Sequence, residues 1–568
     1  MDRIRILSLL LLLGTAALLV RLFYWQVLRG SNLSVLARAQ QTSQSSIRAT
    51  RGNIYSRDGE FLSASRDLWF LYADVQKIED KRTFADQVSA FTLPEKSDEA
   101  SKSAEVRRIL DILSDKKFGW VPVKTRIETA VKKQIEESEI TGVAFEPIEG
   151  RTYPEASSAA QLLGFVGKNN DGEDVGYFGL EGFYDLVLSG KPGFRERASN
   201  AVGVPILSSD VRETAAQSGV DLVTTIDRKV QLTIEKYLQE GMQKYEAQSG
   251  SIVVLDPKTG AVLGMAASPS FDPAEFYKYQ TKDFSNPIIS ASFEPGSIMK
   301  PLVMAAGMDA GVITPDTICD QCAGPYKVDK YFIETWDHQY HQNSTMGDIL
   351  KHSDNVGMVF IGNRLGKDRM ADYFDKFGFG RLTGIDLQGE MSPPMREKKD
   401  WSIVDLATAS FGQGVAVTPI QMARAFSILA NDGKLPKAHI VSELKQGDWS
   451  RKIPVIDGEQ VISKDTVDHM KGLLVEAVKT GEARWAAPKG YQIAGKTGTA
   501  QIAVGGRYDE KKTNASFIAF APANDPKFLM LVILNEPHSS EWAAETAAPL
   551  WFTISKVLLP YFGVKPSL

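Results

Sequence analysis

The chain has 568 residues, enough for three or four domains, and its 43% apolar and 24% charged residues are typical of an ordered globular protein. Its 65 basic and 70 acidic side chains nearly balance, so the composition gives no electrostatic case for nucleic-acid binding. With only two cysteines, a disulfide-built scaffold and an iron–sulfur protein are excluded.

The first feature along the chain is an apolar stretch at residues 6–28, ILSLLLLLGTAALLVRLFYWQVL. At 1.5 Å per helical residue, a helix of this length crosses the roughly 30 Å hydrocarbon layer of a membrane. Two arginines precede it and aromatic residues 23–25 lie near its far end, which predicts a short tail inside and the bulk of the chain outside. We assign residues 1–28 to the tail and a single-pass anchor. A cleaved signal peptide, with small residues at 15–17, and a buried soluble helix are the alternatives.

The next part of the chain, to about residue 212, has a mixed composition. A charge-rich stretch at 77–117 indicates exposed helices and loops. The glycine-containing segments 51–59 and 167–182 are typical of turns between strands. The pattern changes near Asp221, where we expect a new domain.

The residues after this change indicate strands at both ends of a domain and helices between them. We therefore predict an α+β domain whose sheet joins its first and last segments. The predicted elements are a strand at 221–227, a helix at 230–245, a hairpin at 251–266, mainly helices at 299–474, a second hairpin at 515–534 and an amphipathic helix at 546–562.

Serine and lysine are the first candidates for chemistry. All six histidines follow residue 330 and no Gly-x-Ser-x-Gly pattern occurs, so a Ser-His hydrolase has little support. On a helix, Ser-x-x-Lys places both side chains on one face, where the amine can take the hydroxyl proton. The pattern occurs at 114–117, 297–300 and 442–445. Only Ser297 and Lys300 follow a Pro-Gly helix start and precede a long apolar stretch, whereas residues 114–117 lie in the charged region and 442–445 in a loop-like segment.

Two further patterns complete the set. Ser-x-Asn occurs once, at Ser353 and Asn355. Lys-Thr-Gly occurs at residues 258, 479 and 496, of which the first lies at a hairpin tip and the second at a helix end. The third follows an alternating segment and is predicted to lie on an edge strand that presents Lys and Thr side chains to an anionic substrate. It comprises Lys496, Thr497 and Gly498, and Thr499 follows.

In this order, the three motifs resemble those of penicillin-binding proteins and serine β-lactamases. FEPGSIMKP (293–301), FGQGVAVTPIQMARAF (411–426) and AGKTGTAQ (494–501) narrow the resemblance to class B penicillin-binding proteins. RGNIYSRDG (51–59), RTYPEASSAAQLLGFVG (151–167) and GLEGFYDLVLSGKPG (179–193) look like the pedestal, or dimerisation, domain of that family, although Ser56 stands where the family usually has Asp.

This resemblance implies an α+β protein with a single N-terminal transmembrane helix, an elongated mixed pedestal at 29–213 and a transpeptidase domain at 214–568. The latter would have an antiparallel sheet flanked by helices, as in serine β-lactamases. The implied function is peptidoglycan D,D-transpeptidation in the bacterial cell wall, during division or elongation, without a cofactor.

The resemblance also implies roles for single residues. Ser297 would attack the penultimate D-alanine of a stem peptide, Lys300 would take its proton, Ser353 would relay a proton to the leaving amine and Asn355 would hold the peptide amide and the lysine. In the third motif, Lys496, Thr497, Gly498 and Thr499 would bind the substrate, with its terminal carboxylate on the lysine and the threonines. The backbone N–H groups of Ser297 and Thr499 would form the oxyanion hole.

The implied partners are peptidoglycan stem peptides, lipid-linked nascent glycan, β-lactams and a membrane glycosyltransferase of the shape, elongation, division and sporulation type. The catalytic domain would lie on the outer side of the cytoplasmic membrane. A D,D-carboxypeptidase, a β-lactam-hydrolysing or β-lactam-sensing acyl-enzyme and a non-catalytic scaffold are the alternatives. Water in place of an amine would resolve the ester in the hydrolytic alternatives.

The two cysteines have a spacing close to that of a zinc site. Cys319 and Cys322 are followed by His338 and His341, although the gap between the histidines is one residue shorter than usual. In an oxidising exterior, a local disulfide or two free thiols are simpler expectations than zinc or redox catalysis.

Overall fold

The computed structural model of the protein describes residues 2–34, 42–93, 97–114, 119–155, 157–198, 212–504 and 507–566. Contacts divide the chain into two compact units, residues 1–51 with 189–219, and residues 52–188 with 220–568. The predicted boundary after residue 213 falls inside the first unit and stays a prediction.

The secondary structure of the described residues is mixed. The strands are β1 (Thr42–Ile47), β2 (Ile54–Tyr55), β3 (Phe61–Asp74), β4 (Trp120–Glu128), β5 (Val143–Thr152), β6 (Phe165–Lys168), β7 (Asp174–Tyr177), β8 (Gly193–Ala198), β9 (Arg212–Thr214), β10 (Asp221–Thr224), β11 (Ser249–Leu255), β12 (Val262–Ser268), β13 (Ile318–Cys319), β14 (Tyr326–Val328), β15 (Tyr331–Ile333), β16 (Ser344–Thr345), β17 (Lys434–Leu435), β18 (Val441–Gln446), β19 (Trp449–Lys452), β20 (Glu459–Gln460), β21 (Ala494–Val504), β22 (Arg507–Ala521) and β23 (Phe528–Asn535). The α-helices are α1 (Asp2–Phe23), α2 (Lys81–Thr92), α3 (Glu99–Ser114), α4 (Thr129–Glu137), α5 (Ala160–Leu163), α6 (Gly179–Phe183), α7 (Asp185–Leu188), α8 (Arg228–Tyr245), α9 (Thr281–Phe284), α10 (Pro287–Ser290), α11 (Lys300–Asp309), α12 (Met346–Lys351), α13 (Asn355–Leu365), α14 (Lys367–Lys376), α15 (Ile403–Ala409), α16 (Pro419–Phe426), α17 (Lys464–Thr480) and α18 (Ala547–Tyr561).

The first unit contains the candidate membrane span. α1 continues through a π-helical turn, Tyr24–Leu28. Arg3–Leu28 is apolar and long enough to cross a membrane. The mean hydropathy of its most apolar part is 2.4, and none of the residues in that part is buried against the rest of the protein. The predicted apolar helix is confirmed, and its orientation stays a prediction. In the same unit, β8 pairs antiparallel with both β1 and β9.

In the second unit, residues 52–188 are built around the long strand β3, which pairs antiparallel with β4 and β5. The stretch 77–117, predicted to form exposed helices and loops, contains α2 and α3. Each of these helices nevertheless buries one face, because apolar residues recur at helical spacing. The buried side chains of this core include Leu71, Phe84, Val88, Ile109, Val121, Ile127 and Ile135.

One sheet connects these residues to the rest of the second unit. β2 pairs antiparallel with β3 and parallel with β10, and β10 pairs antiparallel with β18. The prediction that Ser442 lies in a loop is wrong, because it lies in β18, where its hydroxyl donates to the Val223 carbonyl at 3.0 Å. At the turn before β3, the Ser56 hydroxyl is buried and donates to Asp58 at 2.6 Å.

The sheet that positions the candidate site has five antiparallel strands in the order β12-β11-β23-β22-β21. Its β11–β12 hairpin comes from the first segment of the predicted domain and its β22–β23 hairpin from the last. The predicted joining of the two ends is therefore confirmed. β21, which carries the Lys-Thr-Gly motif, is an edge strand, as predicted, although it begins at Ala494.

Both faces of this sheet are covered, which explains why its middle strand, β23, is almost continuously apolar. Along β23, Met530, Val532 and Leu534 belong to the core with α8 and α18, which matches the predicted helices at 230–245 and 546–562. Their neighbours Leu531 and Ile533 belong to the core with the helices of residues 300–430. The alternation follows from the two-residue period of a strand.

Candidate active site

Ser297 lies in a tight helical turn. Gly296–Met299 form a single 3-10 turn that leads directly into α11, so Lys300 begins the buried α-helix. Gly296 has a φ of +53°, which a glycine adopts without strain, and its N–H donates to the Gly412 carbonyl at 3.0 Å. A Cβ on Gly412 would lie 2.2 Å from the Gly296 carbonyl oxygen, so glycine is required for this close approach.

Ser353 lies in the loop between α12 and α13. Its φ is +54°, which is uncommon for a residue with a side chain. Residues with such backbone angles are found most often at functional sites. Asp354 caps α13 by accepting hydrogen bonds from the N–H groups of Val356 at 2.8 Å and Gly357 at 3.1 Å. Because the cap fixes the start of α13, Asn355 has a defined position beside Ser353.

A chain of hydrogen bonds links the first two motifs. The Ser353 hydroxyl lies 3.0 Å from the Ser297 hydroxyl, to which it donates. The Lys300 ammonium donates to the Ser353 carbonyl at 2.5 Å, to the Ser353 hydroxyl at 3.2 Å and to Asn355 Oδ1 at 2.7 Å. Among the described residues, Lys300 thus connects to Ser297 through Ser353. The Ser-x-x-Lys spacing predicts a direct hydrogen bond between Lys300 and Ser297, and these two side chains, which the structure describes, do not form one.

Burial and charge act together on Lys300. Its side chain is fully buried. Burial lowers the pKa of its ammonium well below the ordinary 10.5, and the charge of nearby Lys496 lowers it further. Asp354 and Glu482 oppose these effects. A lysine with a lowered pKa is poised to act as a base near neutral pH.

The third motif lies on the edge strand β21. Lys496 is only 4% exposed, and burial lowers its pKa to about 8, while Glu482 acts to raise it. Its ammonium donates to the Thr497 carbonyl at 3.1 Å and the Thr497 hydroxyl at 3.2 Å. Thr497 and Thr499, two residues apart on the strand, both line the cleft that contains Ser297.

Gly498 allows this strand to lie against the turn Gly296–Met299. A Cβ at this position would lie 2.6 Å from Ser516 Oγ and 2.8 Å from Ile298 Cγ2. Since Ile298 directly follows Ser297, the absence of a side chain at Gly498 sets how closely the first and third motifs approach. The prediction that Gly498 also binds substrate stays a prediction.

The three motifs therefore meet in one cleft, which also contains residues that sequence reasoning missed. Phe411 and Gln413 lie in the FGQG segment that carried part of the family resemblance. Glu482 directly follows the Lys-Thr-Gly at 479–481 that was assigned to a helix end. No sequence pattern pointed to the two tryptophans. The missed lining residues are Trp336, Phe411, Gln413, Glu482 and Trp542.

The structure does not assemble the four residues of the zinc alternative. Cys319 and Cys322 are joined by a disulfide and are fully buried. The His341 ring lies 4.4 Å from that of His352, and His338 Nδ1 lies 3.6 Å from a Glu334 carboxylate oxygen. Within the described part of the chain, no three His, Cys, Asp or Glu side chains are grouped so that they could hold a metal ion.

A five-stranded sheet whose edge strand carries Lys-Thr-Gly, and against which Ser-x-x-Lys and Ser-x-Asn meet, is the arrangement expected of a penicillin-recognising transpeptidase domain. The family model "Penicillin binding protein transpeptidase domain" matches residues 250–556, and that of the "Penicillin-binding Protein dimerisation domain" matches residues 46–224. The chain belongs to the class B penicillin-binding proteins.

Individual proteins agree with this assignment. The chain is 31% identical to stage V sporulation protein D of Bacillus subtilis over 570 residues, covering 98% of this chain and 85% of the relative. It is 28% identical to the peptidoglycan D,D-transpeptidase FtsI of Escherichia coli, covering 98% and 91%. Among solved structures, penicillin-binding protein 3 of Mycobacterium tuberculosis in complex with aztreonam matches with a TM-score of 0.70, 25% identity and coverage of 92% and 98%. Penicillin-binding protein 2X of Streptococcus thermophilus shares the fold, with a TM-score of 0.74, 23% identity and coverage of 92% and 81%.

Proposed function

We propose that this protein is a peptidoglycan D,D-transpeptidase that works through an acyl-enzyme on Ser297. The observation that carries the proposal is the hydrogen-bonded series from buried Lys300 through Ser353 to Ser297, the last two of which line one cleft. Relatives named D,D-transpeptidase support the reaction class.

In the first step, neutral Lys300 takes the Ser297 proton through the Ser353 hydroxyl. Ser297 Oγ bonds to the carbonyl carbon of the penultimate D-alanine, and the backbone N–H groups of Ser297 and Thr499 stabilise the oxyanion. The C–N bond to the terminal D-alanine then breaks. The Lys300 ammonium then gives one proton back through the Ser353 hydroxyl to the leaving amine, so that free D-alanine departs and an ester remains.

The substrate is held from both sides of the cleft. The terminal carboxylate binds the Lys496 ammonium and the hydroxyls of Thr497 and Thr499. On the opposite side, Asn355 has one amide proton engaged with the Glu334 carbonyl at 3.0 Å, which leaves its second N–H to donate to the peptide.

In the second step, an amine of a neighbouring stem peptide attacks the ester carbonyl and gives a proton to Lys300 through Ser353. The C–O bond to Ser297 then breaks, the proton returns through Ser353 to Ser297 Oγ, and the amide of the cross-link remains. Because water at the same position would give a D,D-carboxypeptidase, cross-linked and hydrolysed products distinguish the two activities. A purified sample supplied with a D-alanyl-D-alanine stem peptide and an acceptor amine should release D-alanine and form the amide. Exclusive hydrolysis would refute transpeptidation.

The acyl-enzyme has a direct test in labelling by a fluorescent penicillin. The wild type should be labelled covalently, and Ser297→Ala should not. Ser114→Ala is the matched control, because Ser114 also begins a Ser-x-x-Lys pattern but its hydroxyl donates to the Leu110 carbonyl within α3, away from the cleft residues. Covalent labelling of Ser297→Ala would overturn the assignment of the nucleophile.

The setting of the reaction follows from the apolar helix. Residues 6–28 anchor the chain, and the catalytic domain lies outside the cytoplasmic membrane, where stem peptides on nascent lipid-linked glycan are accessible. A membrane glycosyltransferase of the shape, elongation, division and sporulation type supplies the glycan. Protease added outside spheroplasts should digest residues 214–568, and complete protection of these residues in the same intact spheroplasts would refute this orientation.

A further inference from the structure

Two tryptophans of the cleft contact each other although they are about 200 residues apart in sequence. The ring centroids of Trp336 and Trp542 lie 5.0 Å apart with an interplanar angle of 56°, and both side chains line the cleft that contains Ser297. Trp336 is 43% exposed, so its ring lies at the mouth of the cleft and not in the core.

Trp336 is hydrogen-bonded to the side of the cleft that carries Ser353 and Asn355. Its indole N–H donates to the His352 carbonyl at 3.1 Å, and His352 directly precedes Ser353. Two residues earlier, the Glu334 carbonyl accepts the amide proton of Asn355 at 3.0 Å. The segment 334–336 thus contacts the second motif at Asn355 and the chain just before it at His352.

Trp542 is attached to the opposite side, the edge strand with the third motif. The N–H of the next residue, Ala543, donates to the Thr499 hydroxyl at 3.1 Å. The N–H of Trp542 itself donates to the Ser540 hydroxyl at 3.2 Å, which holds the local backbone. The contact between the two rings therefore joins the segments attached to the second and third motifs.

We infer that Trp336 and Trp542 form a positioning pair that sets the spacing between Ser353 and Asn355 on one side of the cleft and the carboxylate-binding strand on the other. The inference rests on the proposed function, because it concerns a ligand that acylates Ser297 while its carboxylate binds Lys496, Thr497 and Thr499. Such a ligand bridges both sides. A ligand without the carboxylate makes fewer contacts with the carboxylate-binding strand. Its rate of acylation therefore depends less on the spacing between the two sides of the cleft.

The test compares a fluorescent penicillin with its carboxylate methyl ester in full-length protein. Its readout is the ratio of the two second-order rate constants for acylation of Ser297. Trp336→Ala and Trp542→Ala should each lower this ratio about tenfold, since small displacements of bound groups cost large factors in rate. The double variant should be no worse than either single variant, because each substitution already removes the contact. Trp542→Phe keeps an aromatic ring and should retain the wild-type ratio.

The control is Trp485→Ala, since Trp485 is 65% exposed and does not line the cleft; its ratio should not change. Equal losses with both ligands, or multiplicative effects in the double variant, would overturn the positioning role and leave the proposed function intact. Labelling of Ser297→Ala, or no labelling of the wild type, would overturn the proposed function and this inference with it. Thermal unfolding of each variant shows separately whether the fold has been weakened.

Discussion

The charge on Lys496 should set the alkaline limit of ligand recognition. Burial lowers the pKa of this lysine from 10.5 to about 8, a difference of about 3 kcal/mol between its two protonation states. About nine-tenths of Lys496 is charged at pH 7 and about one-tenth at pH 9. Because the neutral amine lacks the charge that attracts a carboxylate, the second-order rate constant for acylation by a penicillin should fall by up to about tenfold between these pH values.

Stopped-flow or gel-based labelling with a fluorescent penicillin, between about pH 6 and pH 10, measures this rate constant, which reports the ionisations of the free enzyme. The penicillin methyl ester is the control on the ligand side and should show no decline near pH 8. Lys496→Arg is the control on the protein side. A guanidinium stays charged throughout this range, so the variant should react more slowly at pH 7 but lose the alkaline decline.

Two results would refute this reasoning. A decline centred near pH 10 would mean that burial does not lower the pKa of Lys496, as in an exposed lysine. An identical decline near pH 8 with the methyl ester would assign the titration to a group other than the one that binds the carboxylate. The titration of Lys300 is distinguished from that of Lys496 by the direction of its effect on the rate. Lys300 is active when neutral, so its titration forms the acidic limb of the profile.

Three further substitutions test other parts of the structure. Glu482→Gln removes a carboxylate that acts to raise the pKa of both cleft lysines, so the acidic and alkaline limbs of the same profile should both move to lower pH. Gly498→Ala places a Cβ 2.8 Å from the Ile298 side chain and should slow penicillin acylation about a hundredfold without changing far-UV circular dichroism. Glu181→Ala leaves buried Arg151 without the carboxylate that its Nε contacts at 2.6 Å, and should lower the free energy of unfolding, measured by chemical denaturation, by about 3–5 kcal/mol.

The elements that sequence reasoning predicted well are those with a local signal. The hairpin at 251–266 and the helix at 230–245 follow from periodicity within a few residues, and the structure has them as β11–β12 and α8. The three motifs were selected by their local context among several matches. For Lys496 this context was an alternating segment ahead of the motif, and the lysine indeed lies on an edge strand.

The features that sequence reasoning missed depend on contacts between distant segments. Trp336 and Trp542 meet only because the loop before α12 and the segment after β23 converge on one cleft. Ser442 is an exception, because its strand β18 forms a local hairpin with β19 across residues 447–448, and the segment around this turn was assigned to a loop. The other partner of β18 is β10, more than 200 positions away. Local sequence patterns do not show which distant segments of the chain will pair or pack together.

The connection from Lys300 to Ser297 shows how burial changes an argument made from spacing alone. The Ser-x-x-Lys spacing brings the two side chains to one face, but a buried ammonium needs several acceptors to compensate for lost hydration. The Ser353 carbonyl, the Ser353 hydroxyl and Asn355 Oδ1 supply three. The lysine therefore orients toward the second motif, which is why the reaction we propose passes the Ser297 proton through Ser353.

The same burial acts on two lysines that the proposed reaction needs in opposite protonation states. Lys300 must be neutral to accept a proton, whereas Lys496 must be charged to bind a carboxylate. Burial lowers the pKa of both, but the charge of Lys496 lowers the pKa of Lys300 in addition. We therefore expect the pKa of Lys300 to lie below that of Lys496, which opens a pH interval in which both are in the required state. Neutralising Lys496, as in Lys496→Gln, should raise the pKa of Lys300 and move the acidic limb of methyl ester acylation to higher pH. An unmoved acidic limb would mean that the two lysines do not interact.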